Sequence, residues 1–462
     1  MFPIYTAVKA VKAVAETDDI TLIPPSAAQK NSIVQKIKLL RKTNGISQEE
    51  LGMVAMTNQA KISRAENGSE GYNKKELGLI KEYLDIVGMP LAEDERAPFR
   101  RSLYFWRDLI RNGRMDEANK WHKKLSPAIN LEPCDPDLAT LYRLIEVIHM
   151  LAKNDLEAAE KQLNLIYSKL DHSNIEHLYY YNFNMGTLYT MRSDYEGALK
   201  FYMKALEIRE KRGNVSFESN GWLYHNIALC HSGLESPFKA LSFLNKIPRA
   251  NPEDRMTAHG VGVDILFAIN YIKVGELESA EGILNECLIN AKGMNDDFYI
   301  GLTLHNLGIF HRRNENWEKA IDYFDQTMDI LDENSNYYLW ALYYKARCLI
   351  ESRKFSEAER VIKQIQPFLD EGNEFASTLC EILRQIIIIS RRMSVYNKGP
   401  AHYIEDVAVP FLVKHGVRLE AISCCELLVK HCIRTKREGK AFAAKAAIGD
   451  IYKWMFNEKM VL

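Results

Sequence analysis

Long apolar runs are missing from this sequence. Its longest purely aliphatic stretch runs only from Ile386 to Ile389, against the roughly 20 residues a membrane-spanning helix needs, so no membrane partner is expected. Charge of one sign is not in excess either: 60 Lys and Arg stand against 61 Asp and Glu, a formal net charge of -1, and any surface for nucleic acid must therefore be local. None of the eight cysteines is spaced Cys-x-x-Cys; buried free thiols in a reducing cytoplasm are expected. Cys424, Cys425 and Cys432 lie close together but lack the paired spacing and the histidines of a zinc site, so no metal or other cofactor is expected. A phosphate-binding glycine loop and a nucleophile–base grouping are also wanting, which argues against an enzyme. Residues Ala7 to Ala15 alternate Ala, Val and Lys without an apolar core before a small-residue cleavage site, so a secretory signal is not expected and the cytoplasm is.

What is present reads as helix throughout. Residues 1–30 form an arm ending in Leu22-Ile23-Pro24-Pro25-Ser26, a helix-breaking element. From Asn31 about five short helices follow. Ile33, Ile37 and Leu40 give the first an apolar face, with Lys36, Lys38, Arg41 and Lys42 around it and Asn44-Gly45 ending it. Ser47-Gln48-Glu49-Glu50 predicts a capping box opening a second helix, which turns Leu51 and Val54 inward. After Met56-Thr57 a third helix runs from Asn58. Two short helices joined by a tight turn can place the second in a major groove. Gln59 and Arg64 suit paired hydrogen bonds to base edges, and Lys61 and Ser63 suit phosphates or single acceptors. Between Asn31 and Arg64 six Lys or Arg face two Glu, a local charge of +4.

Ile46-Ser47-Gln48-Glu49-Glu50-Leu51 followed by Lys61-Ile62-Ser63-Arg64-Ala65-Glu66-Asn67-Gly68 closely resembles the helix-turn-helix domain of Cro/C1 (XRE) type, over about residues 31–90. The resemblance implies double-stranded DNA as partner, with Gln48, Gln59, Lys61, Ser63 and Arg64 as its contacts. Where many members carry glycine in the turn, this chain has Met56. The domain is expected over 31–92 and a charged connector over 93–98, Glu-Asp-Glu-Arg-Ala-Pro.

Residues 99–372 repeat. Trp106, Val147, Gly186, Ala228, Ala268, Gly308 and Ala346 recur at intervals of 41, 39, 42, 40, 40 and 38 residues, and each is followed twelve residues later by Ala118, Ala159, Ala198, Ala240, Ala280, Ala320 or Ala358. Small residues in this register, with aromatics such as Tyr189 and Tyr202 between them, describe paired helices packed closely across a short turn. This is the tetratricopeptide pattern, nominally 34 residues long, in about seven copies. The expected fold is therefore all-α: a helix-turn-helix domain, then a right-handed tetratricopeptide superhelix. Over 373–462 the pattern blurs, with Val429 and Ala441 as one further pair; degenerate repeats that cap the array or dimerise are expected there.

The first helix of each repeat is expected to line a concave channel. Its sixth place is asparagine three times, Asn184, Asn226 and Asn306, and an asparagine amide can clasp both the carbonyl and the N–H of an extended peptide. Tyr180, Trp222, Trp340 and Tyr344 could form apolar pockets beside them, and Arg312, Arg313 and Arg347 could meet a carboxylate. Asparagines bonding between helices as structural groups is the alternative. His225 and His305 precede two of the asparagines, which a shared repeat position explains more simply than catalysis.

A helix-turn-helix domain followed by tetratricopeptide repeats resembles the RRNPP group of peptide-sensing quorum regulators. That resemblance implies a cytoplasmic homodimeric transcription regulator, switched by a short signalling peptide in the groove. The competing reading is a tetratricopeptide scaffold or anti-regulator whose effector is a partner protein.

Overall fold

In the computed structural model every described element is helical, with no strand among the described residues. The structure describes residues 34, 37–38, 41–42, 45–84, 93–125, 136–211, 221–248, 255–333, 335–365, 368, 374–391 and 399–456, the side chains of 93–96, 98 and 456 excepted. The arm expected over 1–30, and Ile33, Lys36 and Leu40, lie outside them. The described residues divide into two compact units, parted between Asn184 and Met185.

The first unit opens with helical residues at 34, 37–38 and 41–42, then α1 (Gln48–Val54), α2 (Gln59–Glu66) and α3 (Lys74–Tyr83). Ile37, Leu51, Ala55, Ile62, Ile80 and Leu84 form their common core. The Ser47 hydroxyl accepts from the Glu50 N–H at 3.0 Å, as a helix cap should. The Glu50 side chain instead accepts from the Tyr83 hydroxyl at 2.8 Å, so the reciprocal half of the expected capping box is replaced by a tie to α3. A complete box closes α3 itself, between Asn73 and Glu76. The turn between α1 and α2 does call for a left-handed residue, and Met56 supplies it at φ 54°.

The connector expected over 93–98 is the opening of α4 (Glu93–Arg111). Acidic residues complement the positive end of a helix dipole, so Glu93-Asp94-Glu95 favours a helix start as much as a solvated link. α4 pairs with α5 (Met115–Leu125) and α6 (Pro136–Ala152) with α7 (Leu156–Tyr167); α8 (Ile175–Met191) follows. Ala118 and Ala159 are fully buried. At the small position of the first hairpin, Trp106 is accommodated because its indole N–H donates to His149 Nδ1 at 3.2 Å and its rings stack on His122.

The second unit holds the end of α8, then α9 (Tyr195–Glu210), α10 (Gly221–Gly233), α11 (Pro237–Leu244), α12 (Ala258–Val274), α13 (Leu277–Met294), α14 (Asp297–Arg313), α15 (Trp317–Ile330), α16 (Asn336–Glu351) and α17 (Phe355–Gln364). Ala198, Ala240, Ala280, Ala320 and Ala358 are all fully buried at the contact of paired helices. The glycines in register show why nothing larger fits: a Cβ on Gly186 would lie 2.6 Å from the Tyr202 ring, and one on Gly308 2.6 Å from Phe324.

Each hairpin turns on one residue in the left-handed region, seven places after the first small position, from 106 to 113 and so on. These are Gly113, Asn154, Ser193, Glu235, Gly275, Glu315 and Arg353, with φ between 55° and 88°. Lys436, at φ 59°, stands seven after Val429, so the blurred C-terminal pair, helices Arg418–Arg434 and Glu438–Phe456, obeys the same geometry.

Beyond α17 come α18 (Glu374–Ser390), α19 (Gly399–Tyr403), a π-helical turn (Ile404–Ala408), α20 (Val409–Lys414), α21 (Arg418–Arg434) and α22 (Glu438–Phe456). They share one core with α16 and α17. They also reach back: the Arg418 N–H and guanidinium donate to Glu235, in the turn between α10 and α11, at 3.0–3.1 Å. Arg418 also lies over Trp454 of α22, 3.5 Å from the ring centre.

Candidate functional site

The helix-turn-helix face is organised by Glu66. Its carboxylate is 1% exposed and accepts two parallel bonds from Arg41, at 2.7 and 3.0 Å, and one from Gln48 Nε2 at 2.9 Å. Burial pushes this carboxyl up, but Arg41 and Gln48 outweigh it and hold it below the usual range. Gln48, expected to touch DNA, is thereby engaged in fixing α1 to α2. Lys61, expected as a phosphate anchor, is paired with Glu76 at 2.5 Å and so fixes α2 to α3. Gln59 and Arg64 stand exposed on α2, with Ser63 half-buried between them. Arg64 meets Glu70 at 2.8 Å, but both groups face solvent, and such a pair is worth about 0–1 kcal/mol and exchanges readily. The predicted five thus divide into an outward set, Gln59, Ser63 and Arg64, and an inward set that positions it.

The groove candidates divide in the same way. Asn184 is fully buried and donates to the Leu144 carbonyl of α6 at 2.7 Å; Tyr180, also fully buried, accepts from Arg107. Neither presents a surface: Asn184 bonds between helices, as in the alternative reading of the asparagines, and Tyr180 is tied to Arg107 of α4. Trp222 stacks on His259 with ring centres 4.0 Å apart, and Asn226 is buried on the same helix.

Asn306, Arg312, Arg313, Trp340 and Tyr344 do come together, around a cavity of about 160 Å³ between α12, α14 and α16 on one side and residues 416–420 on the other. Asn306 Nδ2 donates to the Leu302 carbonyl at 2.7 Å, one turn back in its own helix, which leaves its carbonyl oxygen outside that bond. Tyr344 stacks on Trp340 with ring centres 5.5 Å apart. His305 lies against Tyr337 and Tyr344, and burial pushes it down to about 3, so it lines the cavity as a neutral ring.

Arg312 and Arg347 do meet carboxylates, but the chain's own. Arg312 pairs with Glu351 and Glu420, both at 2.9 Å, and Arg347 with Glu420 at 2.7 Å and Glu351 at 3.0 Å. Burial pushes the Glu351 carboxyl up, yet the two arginines hold it below the usual range. Arg313, half-buried, makes no ion pair or hydrogen bond among the described residues and lines both this cavity and a larger one of about 600 Å³. Tyr337, Lys273 and Glu420 belong to the site without being candidates in the sequence; Tyr337 stands one turn from Trp340 and is within reach of helical spacing, whereas Glu420 has no local signal.

Cys424, Cys425 and Cys432 are buried free thiols, like every described cysteine. No helix among the described residues is long and apolar enough to cross a membrane.

Models of the tetratricopeptide repeat match residues 299–369 and 184–212. The transcriptional activator NprA of Geobacillus stearothermophilus is 22% identical over 275 residues, covering 58% of this chain and 65% of that protein, so the chain spans just under two thirds of that relative's length. The apo quorum sensor NprR from B. thuringiensis superposes with a TM-score of 0.59 at 18% identity, over 76% of this chain and 97% of that one; NprR in complex with its cognate peptide NprX gives the same score. A Rap protein complexed with Competence and Sporulation Factor gives 0.61 at 15% identity, over 77% and 98%. The chain is therefore an all-α tetratricopeptide-repeat protein. Its homology is to the RRNPP-type quorum-sensing regulators, the group of NprR and Rap.

Proposed function

We propose that this chain is a peptide-responsive transcription regulator, acting as a homodimer in the cytoplasm. α2 reads an operator through Gln59 and Arg64, and the cavity between α14, α16 and residues 416–420 takes a short signalling peptide, with Asn306 on its backbone, Trp340 and Tyr344 against an apolar side chain, and Arg313, unpaired among the described residues, as a cation. The observation that carries this reading is the split within the helix-turn-helix: Arg41, Gln48 and Lys61 are spent on internal ties that fix α2, while Gln59 and Arg64 are left outward. The likeness to a transcriptional activator and to NprR with its peptide supports it. Peptide binding would change dimer geometry and so the spacing of two recognition helices, to which half-site binding is sensitive.

Operator selection from random duplex DNA tests the first half. Wild-type protein is expected to enrich a repeated half-site, and Gln59→Ala with Arg64→Ala to lose it at unchanged melting temperature; equal enrichment by both proteins refutes the assignment. Peptide binding that survives Asn306→Ala with Arg313→Ala undiminished refutes the groove assignment.

The likeness to RapG, named a regulatory protein and not a transcriptional activator, goes with a second reading, in which the repeats grip a partner protein. It predicts that the Gln59, Arg64 variant keeps its effector and its biological output.

A further inference from the structure

The cluster of Arg312, Arg347, Glu351 and Glu420 stands where the two cavities of about 160 and 600 Å³ meet: Arg312 lines both, Glu420 the smaller, and Arg347 and Glu351 the larger. Three of its members are enclosed, with side-chain exposures of 9% for Arg312, 3% for Arg347 and 1% for Glu420, while Glu351 is 22% exposed. Three of the four come from the repeat helices α14 and α16; Glu420 alone comes from α21. The Tyr343 hydroxyl donates to Glu420 at 3.1 Å, and Ser423 of α21 accepts from Arg347 at 2.8 Å.

Charge counting gives the consequence. With Glu420 in place, two guanidinium groups face two carboxylates and the cluster is neutral. Without it, Arg312 and Arg347 in the wall formed by α14 and α16 face the single carboxylate of Glu351, with Arg313 of α14 a further cation lining both cavities, and an uncompensated charge remains in a buried place, which is strongly unfavourable. An occupant that separates α21 from this wall must therefore bring a carboxylate of its own. An occupant that does so leaves the count unchanged, since one carboxylate is exchanged for another and Glu420, in the first turn of its helix, moves into water as an ordinary solvated anion. Planar guanidinium groups grip either carboxylate with the same geometry.

We propose that Glu420 is an internal place-holder: the peptide taken by this groove carries a carboxylate that replaces Glu420 on Arg312 and Arg347, joining the two cavities and releasing the start of α21 from the groove wall. This rests on the peptide reading above and adds the chemical class of the ligand and the residue it competes with. The latch of Arg418 on Glu235 lies two residues away on the same helix start, so release of Glu420 loosens both contacts together.

The test is affinity selection on full-length protein with three random heptapeptide libraries, read by mass spectrometry: free C-terminal acids lacking Asp and Glu, the same sequences as C-terminal amides, and amides that include Asp and Glu. The amides lacking acids are expected to be retained about tenfold less than either acidic library, a difference of about 1.4 kcal/mol; which acidic library is retained tells a terminal carboxylate from a side-chain one. Glu420→Gln, which keeps the shape, is expected to raise retention of the acidic libraries about tenfold. Hydrogen exchange over residues 416–434 of the wild-type protein is expected to quicken when the retained peptides are added, a readout that does not depend on the variant folding. Equal retention of acids and neutral amides, or unchanged exchange over 416–434, overturns the place-holder while peptide binding stands. Retention of no library overturns both.

Discussion

Glu66→Gln isolates the interaction on which presentation of α2 depends. The substitution keeps the shape of the side chain and removes its charge, leaving the Arg41 guanidinium, 8% exposed, without its two carboxylate bonds of 2.7 and 3.0 Å. Removing one partner of a buried pair costs about 3–5 kcal/mol; since the amide oxygen still accepts, about 3 kcal/mol is expected. A domain of roughly 50 residues is stable by roughly 2.5–7.5 kcal/mol at the usual value per residue, so the loss is a large part of the whole. Hydrogen exchange of amides in 48–66, measured in the full chain, should therefore quicken about a hundredfold, at about 1.4 kcal/mol per decade. Arg41→Met combined with Glu66→Leu should recover much of the protection, because neither charge remains to be stranded. The pH dependence follows from the lowered carboxyl of Glu66. A group whose folded value lies below its unfolded value of about 4.3 gives stability that is fully present above the latter and is lost as pH falls through the former. Wild-type protection over 48–66 should thus decay on acidification below the ordinary carboxylate range, and Glu66→Gln should abolish that contribution. An effect of less than tenfold, or a double variant no better than the single, refutes the account.

Four further substitutions bear on the scaffold. Gly308→Ala drives a Cβ to within 2.6 Å of the Phe324 ring and should lower stability by about 1–3 kcal/mol in thermal melts, whereas Gly282→Ala, with open space around it on α13, should raise it by about 0.5–1 kcal/mol. Met56→Gly relieves a left-handed backbone that costs an ordinary side chain about 1–2 kcal/mol, and a rise of up to about 1 kcal/mol in chemical denaturation of the N-terminal domain is expected after the entropy of glycine is set against it. Asn184→Ala removes a buried bond to the Leu144 carbonyl and should cost about 1–3 kcal/mol, while calorimetric peptide affinity stays as in wild type.

The repeat frame is legible because its constraint falls on side-chain size. Ala118 through Ala358 recur in register since the contact of paired helices admits nothing larger, and size is what a sequence displays. The turn between the paired helices, five residues before each of these alanines, is equally regular in backbone and is not legible, because its constraint falls on φ. Gly, Asn, Ser, Glu, Arg and Lys all appear there, each tolerated because the helices on both sides over-determine the conformation. The same distinction covers Met56, which stands where many proteins of the Cro/C1 type carry glycine and still takes the left-handed conformation. Glu93-Asp94-Glu95, which reads as a connector and opens a helix, has the reverse problem: an acidic run is equally at home in water and at a helix start, and local pattern does not choose between them.

The groove residues show a harder limit. An arginine on the inner face of a repeat helix looks the same in sequence whether its carboxylate arrives on a ligand or from elsewhere in the chain. Arg312 and Arg347 read as carboxylate receptors on chemistry alone, and that chemistry is what the structure shows, with Glu420 supplying the anion from 108 and 73 positions further along. No periodicity links positions so far apart, because their meeting depends on how the C-terminal helices return to the repeats. Asn184 and Asn306 make the same point through hydrogen bonds: one amide spans to α6, the other bonds within α14 beside a cavity. Residue type gives the bond that will be made; only the packed chain decides which partner makes it, and at Arg312 and Arg347 that partner is one a peptide carboxylate could replace.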